Sequence, residues 1–127
     1  MKEASLIDST PSLMCVQQST CDPMVKAFTA GENRILPEHI IDKPTGIAKA
    51  ILTGDPTVCY PSLYKVVSET GGSFISVSED EIKSAQEYLN ANENIMATPD
   101  GAVTLAGFLK YAETNSDQLN NKSVLIN

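Results

Sequence analysis

The chain has 127 residues, 42% of them hydrophobic, and a formal net charge of −7, which suits one soluble globular domain with its own core. The acidic balance disfavours a nucleic-acid partner, because it repels a phosphate backbone, and no apolar run approaches the ~20 residues of a bilayer span. The opening residues 1–8 lack the sustained apolar stretch of a secretory signal, so a cytoplasmic setting is expected.

Residues 1–9 read as a tail or the end of a preceding helix, and 10–127 as the folded portion. Leu13-Met14-Cys15-Val16 is a short apolar run after Pro11 and reads as a buried strand, with Cys15 as a core thiol. The polar Gln17–Cys21 ends it. Asp22-Pro23 opens a helix, Asp as N-cap and Pro at the first helical position, with Met24, Ala27 and Phe28 as its apolar stripe. Residues 32–44 hold Pro37 and Pro44 and read as a surface excursion pinned by Ile35, Leu36, Ile40 and Ile41. His39, the one histidine, reads there as a surface or loop residue. A second helix is expected from Thr45, with Ile47, Ala50 and Ile51 on one face and Gly54-Asp55-Pro56 as its stop. A third starts near Pro61, faces Leu63, Val66 and Val67 inward, and stops at Gly71-Gly72.

Phe74-Ile75-Ser76-Val77 is the next strand. Ser78-Glu79-Asp80-Glu81 is a capping box, and the helix behind it places Ile82, Ala85 and Leu89 on one face. After Pro99 comes a helix built largely of small residues, Gly101, Ala102, Ala106 and Gly107. Such residues permit close backbone packing, and equally permit a flat ligand at the helix's amino end. Ser123-Val124-Leu125-Ile126 reads as a last strand. Strands thus recur only after helical crossovers, the pattern of an α/β fold: three layers, a parallel sheet flanked by helices. Three short strands are few for so much helix, so the chain is expected to be a partial domain, truncated at the last strand.

No GxxxxGK[ST] or GxGxxG is present, and Glu69–Ser73 lies at a helix end, where a phosphate cradle would precede a helix. The carboxylates of residues 79–81 fall in a first helical turn, where they complement the dipole. Cys15, Cys21 and Cys59 have no metal-binding spacing. No catalytic residue and no metal ligand is assigned.

Six segments in order carry a likeness: Pro11–Gln17, Asp22–Met24, Ala48–Pro56, Glu69–Gly72, Val77–Ile82 and Thr98–Gly107. Together they resemble the C-terminal part of the threonine synthases, within the tryptophan-synthase-β-like (fold type II) family of pyridoxal-phosphate enzymes. The resemblance implies a two-domain α/β enzyme with pyridoxal 5'-phosphate in the cleft between domains, a small-molecule amino-acid substrate, and a lyase activity turning O-phosphohomoserine into threonine and phosphate. It implies that Ala50, Ile51, Thr53 and Gly54 lie against the cofactor ring, with Thr98 near the same cleft. Many relatives carry Glu where Thr98 stands. None of Lys26, Lys43, Lys49, Lys65, Lys83, Lys110 and Lys122 has the family's Schiff-base context. The reactive lysine, the phosphate loop and the ring-nitrogen partner are then expected in another portion of the same enzyme, the chain's main partner, and this portion alone is expected to be inactive. A homodimer is compatible with the likeness. Cysteate synthase and threonine or serine dehydratase are the neighbouring activities. A non-catalytic binding or assembly domain on the same scaffold is the reading from another class.

Overall fold

The computed structural model describes residues 10–127; the tail assigned to 1–9 lies outside them. Two strands, β1 (Met14–Gln18) and β2 (Ser73–Val77), pair in parallel with Cys15 opposite Phe74 and Val16 opposite Ile75. Between them run α1 (Pro23–Thr29) and α2 (Tyr60–Glu69), and after β2 follow α3 (Glu79–Glu93) and α4 (Pro99–Leu119).

Side chains alternate along a strand, so the sheet has two differently furnished faces. Cys15 and Phe74 meet Ala27 of α1, Ile35, and Tyr60 and Val67 of α2. This face is aromatic: Phe74 lies 5.1 Å from the Phe28 ring and 5.6 Å from that of Tyr60. Tyr60 is fully buried and donates its hydroxyl to the Glu32 carbonyl at 2.8 Å. Burial, reinforced by Tyr64 and Glu32, pushes its pKa up to about 12, so it stays a donor. Val16, Ile75 and Val77 face the other way, onto Ile82 and Ala85 of α3 and Ala102, Val103, Leu105 and Ala106 of α4. That core is aliphatic and thin. A Cβ added at Gly107 would stand 2.4 Å from Cγ2 of Val16, so the small residues serve close seating of α4 on β1. The three layers expected from the sequence are present.

The capping box forms as read. The Ser78 hydroxyl accepts from the Glu81 amide at 3.2 Å, and the Glu81 carboxylate accepts from the Ser78 amide at 2.6 Å. Lys110 of α4 donates to that carboxylate and, at 2.9 Å, to the Ser76 carbonyl, tying α4 to the end of β2.

Four expectations are corrected. Residues 45–53 do not form a helix; they hold only a single 3-10 turn, Lys49–Ile51. The Ala50 amide, which a helix would give to the Gly46 carbonyl, is taken by a side chain from elsewhere. Ser123–Ile126 joins no ladder, and Leu125 is 92% exposed; an apolar run supplies propensity, but a strand also needs a paired neighbour. Gln17 and Gln18 belong to β1 and do not end it. Asp22 makes no side-chain cap to α1; it pairs with Lys26 at 3.0 Å and accepts from the Ser76 hydroxyl at 2.8 Å. His39 does lie in a loop, in a 3-10 turn Pro37–His39, yet it is buried, its Nδ1 accepting the Leu36 amide at 3.2 Å.

Candidate functional site

Ligands of parallel sheets collect beyond the carboxyl ends of the strands. At that end of β1 stand Gln17 and Gln18, only 4% and 1% exposed. They point to opposite faces, and each does the work of a helix cap. Gln17 Oε1 accepts from the amides of Met24 and Val25 at 3.0 and 3.2 Å, replacing Asp22 at the start of α1. Gln18 Oε1 accepts from the amides of Ile47 and Ala48 at 3.1 and 3.0 Å. Gln18 Nε2 donates to Thr20 Oγ1 at 2.8 Å, and that hydroxyl donates to the Thr45 carbonyl. The 45–48 segment is thereby fixed to the sheet. The Gln18 amide, satisfied at both its oxygen and its nitrogen, offsets the cost of burying it and gives the two backbone donors an acceptor, whereas Gln17 Nε2 is buried without a partner.

The chain then makes its 3-10 turn, closed by Ile51 N–H to the Ala48 carbonyl at 3.3 Å. Ala50 has no partner in that turn. Its amide donates to Asp100 Oδ1 at 2.7 Å, the shortest tie between this segment and α4. Asp100 sits in the first turn of α4, behind Thr98, whose hydroxyl accepts the Gly101 amide at 3.3 Å as the N-cap.

The five residues singled out in the sequence therefore divide. Ala50 and Ile51 come to the amino end of α4 beside Thr98, roughly 50 residues on in the chain, through Asp100. Ala50 and Thr98 are exposed, and Ile51 is half-buried against the aliphatic core. Thr53 and Gly54 make their bonds on the return path: Thr53 N–H to the Ile51 carbonyl at 2.9 Å, and Ile41 N–H to the Gly54 carbonyl at 3.0 Å. A Cβ on Gly54 would stand 2.1 Å from the Ile41 carbonyl oxygen, so the close approach of that backbone requires a glycine there. Beside the turn, Pro44, Thr45, Gly46, Lys49 and Leu52 line an open hollow of about 510 Å³.

Sequence reading missed Gln17, Gln18 and Asp100. The glutamine pair carried a signal: two amides directly following a short apolar run. Asp100 carried none beyond its place in a first helical turn, where any acid is favoured. Lys26, Lys65, Lys83 and Lys110 are engaged in ion pairs with Asp22, Glu69, Glu79 and Glu81. Among the described residues no group of three His, Cys, Asp or Glu is placed to hold a metal ion, and no helix is long and apolar enough to cross a membrane. Burial pushes the Cys15 thiol up, and burial with the neighbouring Asp22 does the same to Cys21, which keeps both in the unreactive thiol form.

Comparison with known proteins gives a consistent result. The model of the family described as "Pyridoxal-phosphate dependent enzyme" matches residues 1–127. A threonine synthase of Methanosarcina acetivorans is 33% identical over 112 residues, 88% of this chain and 27% of that protein. A threonine synthase of Methanocaldococcus jannaschii is 32% identical over 108 residues, 85% of this chain and 26% of that protein. The chain thus spans about a quarter of the length of these relatives. In structure it is similar to a threonine deaminase from T.th., with a TM-score of 0.66 and 22% identity, over 87% of this chain and 37% of that one.

Proposed function

Because this chain belongs to the pyridoxal-phosphate-dependent enzyme family, we propose that it forms one wall of the cofactor cleft in a threonine-synthase-like lyase. The reaction is the conversion of O-phosphohomoserine to threonine and phosphate. The observation that carries the reading is the Ala50–Asp100 hydrogen bond, which sets the Ala50–Ile51 backbone beside Thr98. The relatives named threonine synthase support the choice of reaction.

The residues present fit one face of a flat ring. Ala50 offers a small exposed side chain on backbone fixed from two sides, and Ile51 sits on the aliphatic core behind it. Pyridoxal phosphate, when bound, supplies an electron sink for bond breaking at the amino acid. This chain's share is to shape and dry the site. Apolar atoms of Ala50 and Ile51 exclude water from one ring face. Thr53 and Gly54 continue that wall, Gly54 holding it close to Ile41. The Thr98 oxygen already accepts the Gly101 amide, which leaves its O–H proton to donate to a polar group at the ring edge. The reactive lysine, the phosphate loop and the ring-nitrogen partner belong to the N-terminal and last portions of the same enzyme, working as a cytoplasmic protein in which this portion alone is inactive.

The test is borohydride reduction of the full-length protein followed by peptide mapping, together with phosphate release from O-phosphohomoserine. A pyridoxyl-lysine outside residues 1–127 and phosphate release are expected. A pyridoxyl group on any of the eight lysines of this chain overturns the reading. Turnover of another amino acid in place of O-phosphohomoserine moves the protein to the cysteate synthase or dehydratase branch.

A further inference from the structure

We infer that Asp100 is a positioning residue, setting where the Ala50–Ile51 wall stands relative to Thr98. The inference rests on the reading above that this wall faces the cofactor. Besides the Thr20 hydroxyl on the Thr45 carbonyl and the packing of Ile47 and Ile51 on the aliphatic core, the segment has three hydrogen-bonded attachments. Gln18 holds residues 47 and 48 to the sheet, the Gly54 carbonyl accepts from Ile41, and the Asp100 carboxylate accepts from Ala50. The first two fix its ends to β1 and to the loop behind. Asp100 ties its middle, where Ala50 is exposed, to the first turn of α4 by a hydrogen bond, beside the apolar contact that Ile51 makes with the core.

The geometry suits that task. An α-helical Ala50 would donate to the carbonyl four residues back, but the single 3-10 turn supplies no such bond. Its amide takes a charged acceptor at 2.7 Å, within the range of charge-assisted bonds. Asp100 is short, and its backbone is held by the Thr98 cap and by Pro99, so its carboxylate has little freedom to follow a moving partner. The distance from Ala50 to Thr98 is then set by α4.

A plain helix-dipole role for Asp100 makes a different prediction, and three variants of the full-length protein separate the two. Asp100→Asn keeps an oxygen at the same reach and removes the charge. Asp100→Glu keeps the charge and lengthens the reach. Asp100→Ala removes both. Two readouts are taken: amide exchange at Ala50 without cofactor, and the dissociation constant for pyridoxal phosphate with the absorption spectrum of the bound form. Exchange at Ala50 rises about tenfold or more in Asp100→Ala and Asp100→Glu, the scale of a lost hydrogen bond to a charged group, and stays near native in Asp100→Asn. Cofactor affinity falls in the same order. Unchanged exchange in Asp100→Ala overturns the inference. So does the reverse order, with Glu native-like and Asn defective, because that is the helix-dipole signature. Should Asp100→Ala fail to fold, the Asn and Glu pair decides alone. Exchange in the expected order with unaltered cofactor affinity and spectrum overturns the placement of the wall on the cofactor, and the positioning role with it; an unchanged exchange rate, by contrast, leaves that placement standing.

Discussion

Gly107→Ala tests whether α4 is seated by close approach. The new Cβ would stand 2.4 and 2.7 Å from the two γ carbons of Val16 and 3.1 Å from its Cβ. Carbon atoms pack at about 3.5–4.0 Å, so one partner must retreat by roughly 1 Å. Rotating Val16 does not help, because it is β-branched and exchanges one colliding methyl for the other. Its backbone is pinned opposite Ile75 in the sheet. Overpacking of this kind costs about 1–3 kcal/mol. Replacing a helical glycine by alanine returns about 1 kcal/mol. With two γ carbons in collision, a net loss of about 1–2 kcal/mol is expected. The decisive measurement is a double-mutant cycle with Val16→Ala, read by urea denaturation. Once the γ carbons are gone, only the 3.1 Å contact with the Cβ of residue 16 remains, so most of the cost of Gly107→Ala should vanish and the helix-propensity gain of about 1 kcal/mol should largely show. A stabilising Gly107→Ala in the native background, or effects that simply add, refutes the reasoning. A retreating α4 also carries Asp100 away from Ala50, so exchange at the Ala50 amide should rise in the single variant and recover in the double.

Two further outcomes follow from the polar anchors. Gln18→Met keeps the volume but strands the Ile47 and Ala48 amides, which now lie on Oε1 at 3.1 and 3.0 Å; at ~1–3 kcal/mol for each unsatisfied buried group, a loss of at least about 2 kcal/mol is expected, with exchange rising first at residues 47 and 48, and a neutral variant rejects the anchor. For Glu81, burial is the largest influence and pushes its carboxyl up, but the Ser78 amide and Lys110 outweigh it and hold the carboxyl below its ordinary 4.5. A folded-state value below the unfolded one means the stabilisation is complete above pH 4.5 and fades as the pH falls through the depressed value. Thermal midpoints of the native protein and Glu81→Gln should therefore differ near neutrality and converge in acid; a gap that stays constant from neutrality into acid would falsify this assignment.

The parts of the fold governed by local rules were legible in the chain. The Ser78 box, the proline starts of three helices and the Gly71-Gly72 stop each depend on residues within a few positions of one another, and each formed as read; the Gly54 stop has no helix to end, and Val66, Leu13 and Met14, read as inward or buried, are 42%, 39% and 37% exposed. Asp22 is the instructive exception among them. Its place before Pro23 matches a cap, yet Gln17 supplies the acceptor from β1 and frees Asp22 for Lys26 and Ser76. Local pattern identified the need for an acceptor at that helix start. It did not identify which residue fills it, because a side chain reaching across from a strand competes on equal terms with one in the next position.

The same competition explains the site. Residues 45–53 carry a helical apolar period and a Gly-Asp-Pro stop, which favours a helix as long as its amides have only their own carbonyls to bond. Here Gln18 claims the Ile47 and Ala48 amides, and Asp100 claims that of Ala50. The Ile47 and Ala48 amides would have no partner inside the first turn of such a helix in any case; the Ala50 amide, which a helix would give to the Gly46 carbonyl, is the ladder donor bound outside it, and nucleation is costly even when every bond forms. Ile47 and Ile51 still reach the aliphatic core, so the period was a true signal of burial and a false one of helix. The outcome is a backbone edge held from two directions, with Ala50 exposed on it between Lys49 and Ile51. The departure from sequence pattern and the candidate site thus meet at one bond: the carboxylate that takes the Ala50 amide out of a helical ladder is also the group that fixes the wall, while Gln18 anchors the wall's start to the sheet.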